Sequence, residues 1–154
     1  MSTNFKSLVA EALEEIDEIF PWDLEEQLDT ENPPVLVDIR EADEFDQLHI
    51  KGSIFAPRGI LETCCDWGYS ETIPELAKAR DKEIVVICRS GNRSALAAVT
   101  MKQLGFSNVI SLQTGVRGWN DADLPLLNSQ QREVDPDWAE GFLSPEITEE
   151  QFGN

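Results

Sequence analysis

The sequence has 154 residues, of which 41% are apolar, so it suits one globular domain with a hydrophobic core and excludes a largely disordered chain. Thirty acidic residues against twelve Lys and Arg give a formal net charge of -18, which excludes general binding to nucleic acids or to anionic membranes. The chain starts without a signal-peptide pattern and has no apolar run long enough to span a bilayer, so we expect a cytoplasmic protein. Its three cysteines do not favour a disulfide framework, which makes a reactive thiol worth searching for.

The negative charge lies mostly at the two ends of the chain. Residues 1–34 hold ten acidic residues and one basic residue, and residues 128–154 hold seven acidic residues and one basic residue. The middle part, 35–127, is close to neutral, with thirteen acidic and ten basic residues. Because blocks of like charge are usually solvated faces or tails, we predict an acidic N-terminal helical extension at 1–18, a central domain at 19–127 and an acidic C-terminal tail at 128–154.

Helical and strand patterns alternate along the chain. The predicted elements are a helix at 5–16, a strand at 19–20, a helix at 22–28, a strand at 35–39, a helix at 41–47, a strand at 53–56, a long loop at 57–72, a helix at 74–80, a strand at 84–88, a helix at 94–104, a strand at 108–112 and a helix at 116–121. The runs at 35–39 and 84–88 are apolar without alternation, which is typical of strands buried on both faces of a parallel sheet. The order predicts an α/β fold with a mostly parallel central sheet of about five strands and helices on both faces.

Cys88 is the candidate nucleophile because the buried strand at 84–88 brings it to the carboxyl end of the sheet, where sites of parallel α/β folds form. The turn that follows it is Arg89-Ser90-Gly91-Asn92-Arg93-Ser94. A strand that turns directly into a helix aims backbone N–H groups at one point, and Gly91 permits the tight turn. With two flanking arginines these groups favour the reactive thiolate of Cys88, and Ser94 is expected to cap the helix. The alternative is an inert, buried strand cysteine beside two surface arginines.

Five motifs in this order resemble those of the single-domain rhodanese-like sulfurtransferases, over residues 19–127. They lie at 35–41, 45–54, 56–62, 88–94 and 114–119. Lys51 stands where proline is commoner in that family, and Thr114 replaces the first glycine of the Gly-Gly…Trp signature. The resemblance implies the rhodanese-like fold.

The resemblance also implies a mechanism. Cys88 would attack the outer sulfur of thiosulfate or of a persulfide, carry that sulfur as a persulfide stabilised by the 88–94 loop, and pass it to a thiol, to cyanide or to a protein cysteine. No cofactor or metal is expected, because the single histidine, His49, cannot make a metal site and is expected to hold its loop together. The alternative is a persulfide carrier or interaction module in a sulfur relay between proteins, with little small-molecule turnover.

Phosphatases and arsenate reductases of the same fold have five residues between Cys and Arg, according to the resemblance. Here Arg93 follows Cys88 after four residues, and Ser94 stands where that arginine would be needed. The shorter loop is expected to fit a single sulfur better than a phosphate.

The candidate pocket residues each have a functional and a structural interpretation. Asp38 either bonds the loop N–H groups or only orders the end of its strand, and Arg58 follows a strand end where it can line the mouth of the pocket. Arg89 and Arg93 either attract an anionic donor or pair with acidic residues such as Asp38 or Glu62.

Two features outside the loop stay open. Cys64 and Cys65 are either accessory thiols that accept sulfur from Cys88 or small loop residues without a redox role. Trp138 and Phe142 stand at helical i, i+4 spacing in the tail, where they either pack on the domain or form a segment that docks a partner.

Overall fold

A computed structural model describes residues 3–153 and shows a single five-stranded sheet. The strands are β1 Asp17–Ile19, β2 Val35–Asp38, β3 Ile54–Phe55, β4 Glu83–Ile87 and β5 Asn108–Leu112. They lie in the order β1-β5-β4-β2-β3, and every neighbouring pair is parallel. All carboxyl ends therefore meet at one edge of the sheet, called the carboxyl edge below, and the predicted α/β fold is confirmed.

Eight helices connect and flank the strands in the part of the chain that is described. They are α1 Phe5–Leu13, α2 Pro21–Leu28, α3 Ala42–Gln47, α4 Leu61–Cys64, α5 Pro74–Ala77, α6 Asn92–Gln103, α7 Gly115–Asp121 and α8 Pro136–Leu143. Short 3-10 helices occupy Arg58–Ile60 and Glu150–Phe152. The predicted long loop at 57–72 is wrong in its first half, because the 3-10 helix runs directly into α4.

The side chains of β4 alternate between two apolar cores, one on each face of the sheet. Ile84 and Val86 pack with residues of α1, α4 and α6 on one face, whereas Val85 and Ile87 pack with residues of α2, α7 and α8 on the other. Both faces are covered by helices, so the strand is apolar throughout, as its sequence predicts.

Both acidic ends of the chain pack on this domain. Val9 and Ala12 of α1 join the first core, and Ala139 and Leu143 of α8 join the second. The two tail aromatics, Trp138 and Phe142, stack on each other at 5.4 Å between ring centroids and stay exposed. The tail therefore packs back through its small and aliphatic residues, and its aromatic face points outward. Within residues 3–153, no helix is both long enough and apolar enough to span a membrane.

Candidate active site

Cys88 lies directly after β4, at the carboxyl edge, and is buried. Its Sγ atom accepts a hydrogen bond from the backbone N–H of Gly91 at 3.1 Å. The Cys88 thiol donates to the Ser94 Oγ atom at 3.2 Å. The sulfur thus lies between the loop after β4 and the first turn of α6, and the Gly91 N–H points at it.

Gly91 makes this short turn possible. It is the N-cap residue of α6, with φ 93°. A Cβ atom there would lie 3.1 Å from the Thr114 backbone nitrogen and 3.3 Å from the Leu112 carbonyl oxygen. A glycine is required both by the backbone conformation and by the space. Because α6 begins at Asn92, its amino end, with its partial positive charge, faces the sulfur.

Ser94 does not cap α6, so that prediction is wrong. Gly91 takes the N-cap position, and the Ser94 side chain is fully buried inside the first turn. Its Oγ atom lies 3.2 Å from the Cys88 Sγ atom and 2.7 Å from the Ser111 Oγ atom of β5. Ser111 was not singled out from the sequence, although it is a polar residue inside an otherwise apolar run.

The amino end of α7 supports the start of the turn from the other side. The N–H groups of Val116 and Arg117 donate to the carbonyl oxygens of Cys88 and Arg89, both at 2.9 Å. Gly115, with φ 61°, approaches so closely that a Cβ atom would lie 2.5 Å from backbone atoms of both residues. This contact fixes the backbone of Cys88, the candidate nucleophile.

Arg93 forms a two-pronged ion pair with Glu44 of α3, with N–O distances of 2.8 Å and 3.0 Å. Burial raises the pKa of Glu44, but hydrogen bonds from Arg93 and from the Glu41 backbone N–H outweigh it, so the pKa of Glu44 is lowered. The hydrogen bond to Glu44 in turn raises the pKa of Arg93. Arg93 therefore pairs with an acidic residue, which is one of its two alternatives, but the partner is Glu44, because Asp38 and Glu62 each pair with another arginine. Arg89 is half-buried and has no ion pair within residues 3–153.

Asp38 and Arg58, the candidate pocket residues, are both held by other groups. Asp38 is fully buried and accepts hydrogen bonds from the guanidinium and backbone N–H groups of Arg40, at distances from 2.8 Å to 3.1 Å. These contacts are the ones expected if Asp38 orders the end of its strand and does not bond the N–H groups of the Cys88 loop. Arg58 donates to Glu62 at 3.3 Å and to Thr100 at 3.0 Å. Thr100 lies about two helical turns along α6 from the Cys88 loop, so these contacts hold the Arg58 guanidinium beside the second half of α6 and not at its amino end.

The length of the segment that matches a protein-family model decides which family the chain belongs to. Residues 21–122 match the model of the rhodanese-like domain. This chain belongs to the rhodanese-like domain family. The match covers all the elements from α2 to α7, including Gly91 and Ser94, which form hydrogen bonds with the Cys88 sulfur.

Several relatives of this rhodanese-like domain carry the names of sulfurtransferases or sulfur carriers. It is 35% identical over 104 residues to YrkF of Bacillus subtilis, for which a sulfur carrier role has been suggested, and the match covers 68% of this chain and 51% of YrkF. The chain therefore spans about half the length of that relative. Among solved structures, the polysulfide-sulfur transferase homodimer of Wolinella succinogenes is 30% identical, with a TM-score of 0.59 over 80% of this chain and 87% of that one.

A third relative has a different suggested activity. A protein of unknown function from Rhodopseudomonas palustris, for which tyrosine phosphatase activity has been suggested, is 31% identical with a TM-score of 0.71. The match covers 82% of this chain and 96% of that one.

Cys64 and Cys65 of this rhodanese-like domain are free and buried, at the end of α4. Burial, and the neighbouring Cys64 thiol, raise the pKa of Cys65 to about 12, and burial also raises the pKa of Cys64. The Cys65 carbonyl accepts a hydrogen bond from Arg80 at 2.8 Å. Arg80 stands just before β4, at the opposite edge of the sheet from Cys88. Burial thus disfavours the thiolate form of both residues, and the backbone of Cys65 is held toward the edge of the sheet opposite Cys88.

His49 holds its loop together, as expected. Its ring stacks on Phe45 with 4.1 Å between centroids, and its Nδ1 atom lies 2.8 Å from the Phe45 carbonyl oxygen. Its backbone pairs with that of Leu127. Within residues 3–153 there is no cluster of three or more side chains suited to hold a metal ion.

Proposed function

We propose that this rhodanese-like domain is a sulfurtransferase that moves sulfane sulfur from thiosulfate or a persulfide donor to a thiol or cyanide acceptor through a persulfide on Cys88. One observation carries the proposal: the Cys88 sulfur sits at the end of a buried strand, accepts the Gly91 N–H at 3.1 Å and faces the amino end of α6. This surrounding favours an anionic sulfur, and a thiolate is the reactive form of cysteine.

The reaction has two half-reactions that share the persulfide. The Cys88 thiolate attacks the outer sulfur of thiosulfate, a new S–S bond forms, and sulfite leaves with the electron pair of the bond that breaks. An acceptor thiolate or cyanide then attacks the outer sulfur of the Cys88 persulfide, and the Cys88 thiolate leaves. Because each product departs before the next substrate reacts, we expect ping-pong kinetics.

The loop size supports sulfur transfer over phosphate-ester hydrolysis, the activity suggested for the Rhodopseudomonas relative. A tetrahedral phosphate needs donors around three of its oxygens. Here the sixth residue after Cys88 is Ser94, whose short, buried side chain bonds the sulfur itself. Arg93, the residue before it, is engaged by Glu44. A persulfide adds only one sulfur atom to the cysteine, so it needs fewer hydrogen-bond donors from the loop than a phosphate does.

Arg89 is the residue we assign to attracting an anionic donor. It stands next to the nucleophile and is half-buried, and no carboxylate neutralises it within the described residues. Arg93 contributes positive charge as well, but its paired carboxylate cancels most of that field. Small sulfur compounds are therefore the proposed substrates, with a protein thiol or persulfide as the larger partner.

Mass spectrometry of the protein after incubation with thiosulfate tests the proposal. We expect Cys88 to gain the mass of one sulfur atom and to lose it again when cyanide or a thiol is added. Cys64 and Cys65 are internal controls, and the Cys88→Ser variant should show neither the adduct nor thiocyanate formation. An adduct on another cysteine, or turnover retained by Cys88→Ser, contradicts the assignment.

A sulfur carrier is the second candidate, favoured by the similarity to YrkF. The exposed, stacked aromatic pairs Phe20–Trp22 and Trp138–Phe142 supply surfaces for a protein partner. The same mass measurement separates the two candidates. A Cys88 adduct that forms with a persulfidated protein but not with thiosulfate supports the carrier.

A further inference from the structure

Ser111 lies behind the nucleophile, on β5, the strand next to β4. Its Oγ atom is 2.7 Å from the Ser94 Oγ atom, which is 3.2 Å from the Cys88 Sγ atom. Ser94 and Ser111 are both fully buried. The three side chains form a row that leads from the sulfur into the core.

The number of protons in this row depends on the charge of the sulfur. When Cys88 is a thiolate, the row has two hydroxyl protons: Ser94 donates to the sulfur, and Ser111 donates to the Ser94 oxygen. The Gly91 N–H adds a second donor to the sulfur. Every donor of the row then has an acceptor.

A thiol adds a third proton that this row cannot place. If the thiol donates to Ser94, then Ser94 donates to Ser111, and the Ser111 hydroxyl has no further acceptor within residues 3–153. If Ser111 donates to Ser94 instead, then either the thiol or the Ser94 hydroxyl is the donor without an acceptor, because three protons share only two links. A buried donor without an acceptor costs free energy, so the row is better satisfied when the sulfur is an anion.

We propose that Ser111 is a positioning residue that turns the Ser94 hydroxyl toward the Cys88 sulfur and thereby favours its anionic forms, the thiolate and the terminal persulfide. Ser111 does not contact the sulfur, so it acts only through Ser94. This inference deepens the proposed function, on which its relevance to sulfur transfer rests.

The test is the titration of Cys88 by the ultraviolet absorbance of its thiolate, with the Cys88→Ser variant subtracted as a blank. Burial raises the pKa of Cys64 and takes that of Cys65 to about 12, so neither thiol interferes near neutral pH. We expect Ser111→Ala to move the titration midpoint upward by roughly half to one pH unit, the equivalent of one lost hydrogen bond.

Two comparisons distinguish positioning from a merely structural role. In a Ser94→Ala background, Ser111→Ala is expected to add no further shift, because its only route to the sulfur is gone. Ser111→Thr keeps the hydroxyl and is expected to keep the midpoint of the original chain, whereas Ser111→Val, of nearly the same shape, is expected to shift it as Ser111→Ala does.

The proposal is overturned if the midpoint does not move in Ser111→Ala, if the two shifts add in the double variant, or if Thr and Val shift it equally. The Thr and Val pair decides the matter if Ser111→Ala does not fold. The titration uses no sulfur donor, so it is independent of the proposed function: a shifted midpoint with no persulfide on the original chain would refute sulfur transfer and leave the positioning role intact.

Discussion

Replacing Gly115 by alanine is the sharpest test of how α7 fixes the nucleophile. A Cβ atom at this position would lie 2.5 Å from the Arg89 carbonyl carbon, the Arg89 oxygen and the Cys88 oxygen. These are backbone atoms, so they cannot rotate away as a flexible side chain does. Restoring ordinary contact requires the turn to move by roughly 1 Å, and such overpacking typically costs about 1–3 kcal/mol.

The backbone conformation adds to this cost. Gly115 has φ 61°, where a residue with a Cβ atom loses about 1–2 kcal/mol relative to glycine. We therefore expect Gly115→Ala to lower the free energy of unfolding by about 2–5 kcal/mol. A displacement of this size next to the reacting atom is expected to slow sulfur transfer about 100-fold.

Urea unfolding and thiocyanate formation from thiosulfate and cyanide measure the two effects. Gly141 of α8 offers a matched control, because a Cβ atom there meets open space and its φ is not positive. Gly141→Ala is expected to stabilise the fold by about 0.5–1 kcal/mol, as alanine does in a helix, and to leave the rate unchanged. A Gly115→Ala variant as stable and as fast as the original chain would refute the reasoning.

Three further predictions concern the surroundings of the site. Thr114 has φ 68°, which is costly for a β-branched residue, so Thr114→Gly is expected to raise the free energy of unfolding by up to about 1 kcal/mol in urea unfolding. The pKa of Glu44 is lowered in the fold, so its pair with Arg93 stabilises the protein above the ordinary pKa of 4.5 and is lost as the pH falls through the lower folded value. Glu44→Gln should therefore cost up to about 1 kcal/mol at neutral pH and nothing in strong acid, as followed by unfolding at each pH. A double variant with Cys64→Ala and Cys65→Ala is expected to keep the turnover and the lifetime of the Cys88 persulfide, and a change in either would support the accessory-thiol role.

Local pattern was enough to predict most of the order of helices and strands and the position of Cys88 at the carboxyl edge. The run at 84–88 is apolar because both faces of β4 are buried, and the turn after it is short because Gly91 takes a positive φ. These properties depend on neighbours in the sequence. In contrast, α4 has only four residues, too few for a helical period to show, and it was predicted as loop.

The contacts that tune the site depend on strand order, which the sequence pattern does not reveal. Glu44 and Arg93 are 49 positions apart and meet only because β2 and β4 are neighbours. Ser111 reaches Ser94 only because β5 lies on the other side of β4. A serine inside an apolar strand was a visible signal, but its partner was not. The wrong prediction for Ser94 has a related cause. A serine near a helix start usually caps the helix, but here strand order places Ser111 where it bonds the Ser94 hydroxyl beside the Cys88 sulfur.

The arrangement also changes what the net charge of -18 means for the chemistry. Of the arginines near the site, Arg40 is neutralised by Asp38 and Arg93 by Glu44, so Arg89 is the one that keeps an unpaired positive charge within residues 3–153. The Gly91 N–H and the first turn of α6 are fixed dipoles that lie within the fold. Salt screens charges that are separated by more than about 8 Å of solvent at physiological ionic strength, but it does not reach donors in direct contact with the sulfur. If the proposed function is correct, we expect the acidic surface to affect how often an anionic donor arrives, and the backbone donors and hydroxyl groups around Cys88 to set the stability of its persulfide.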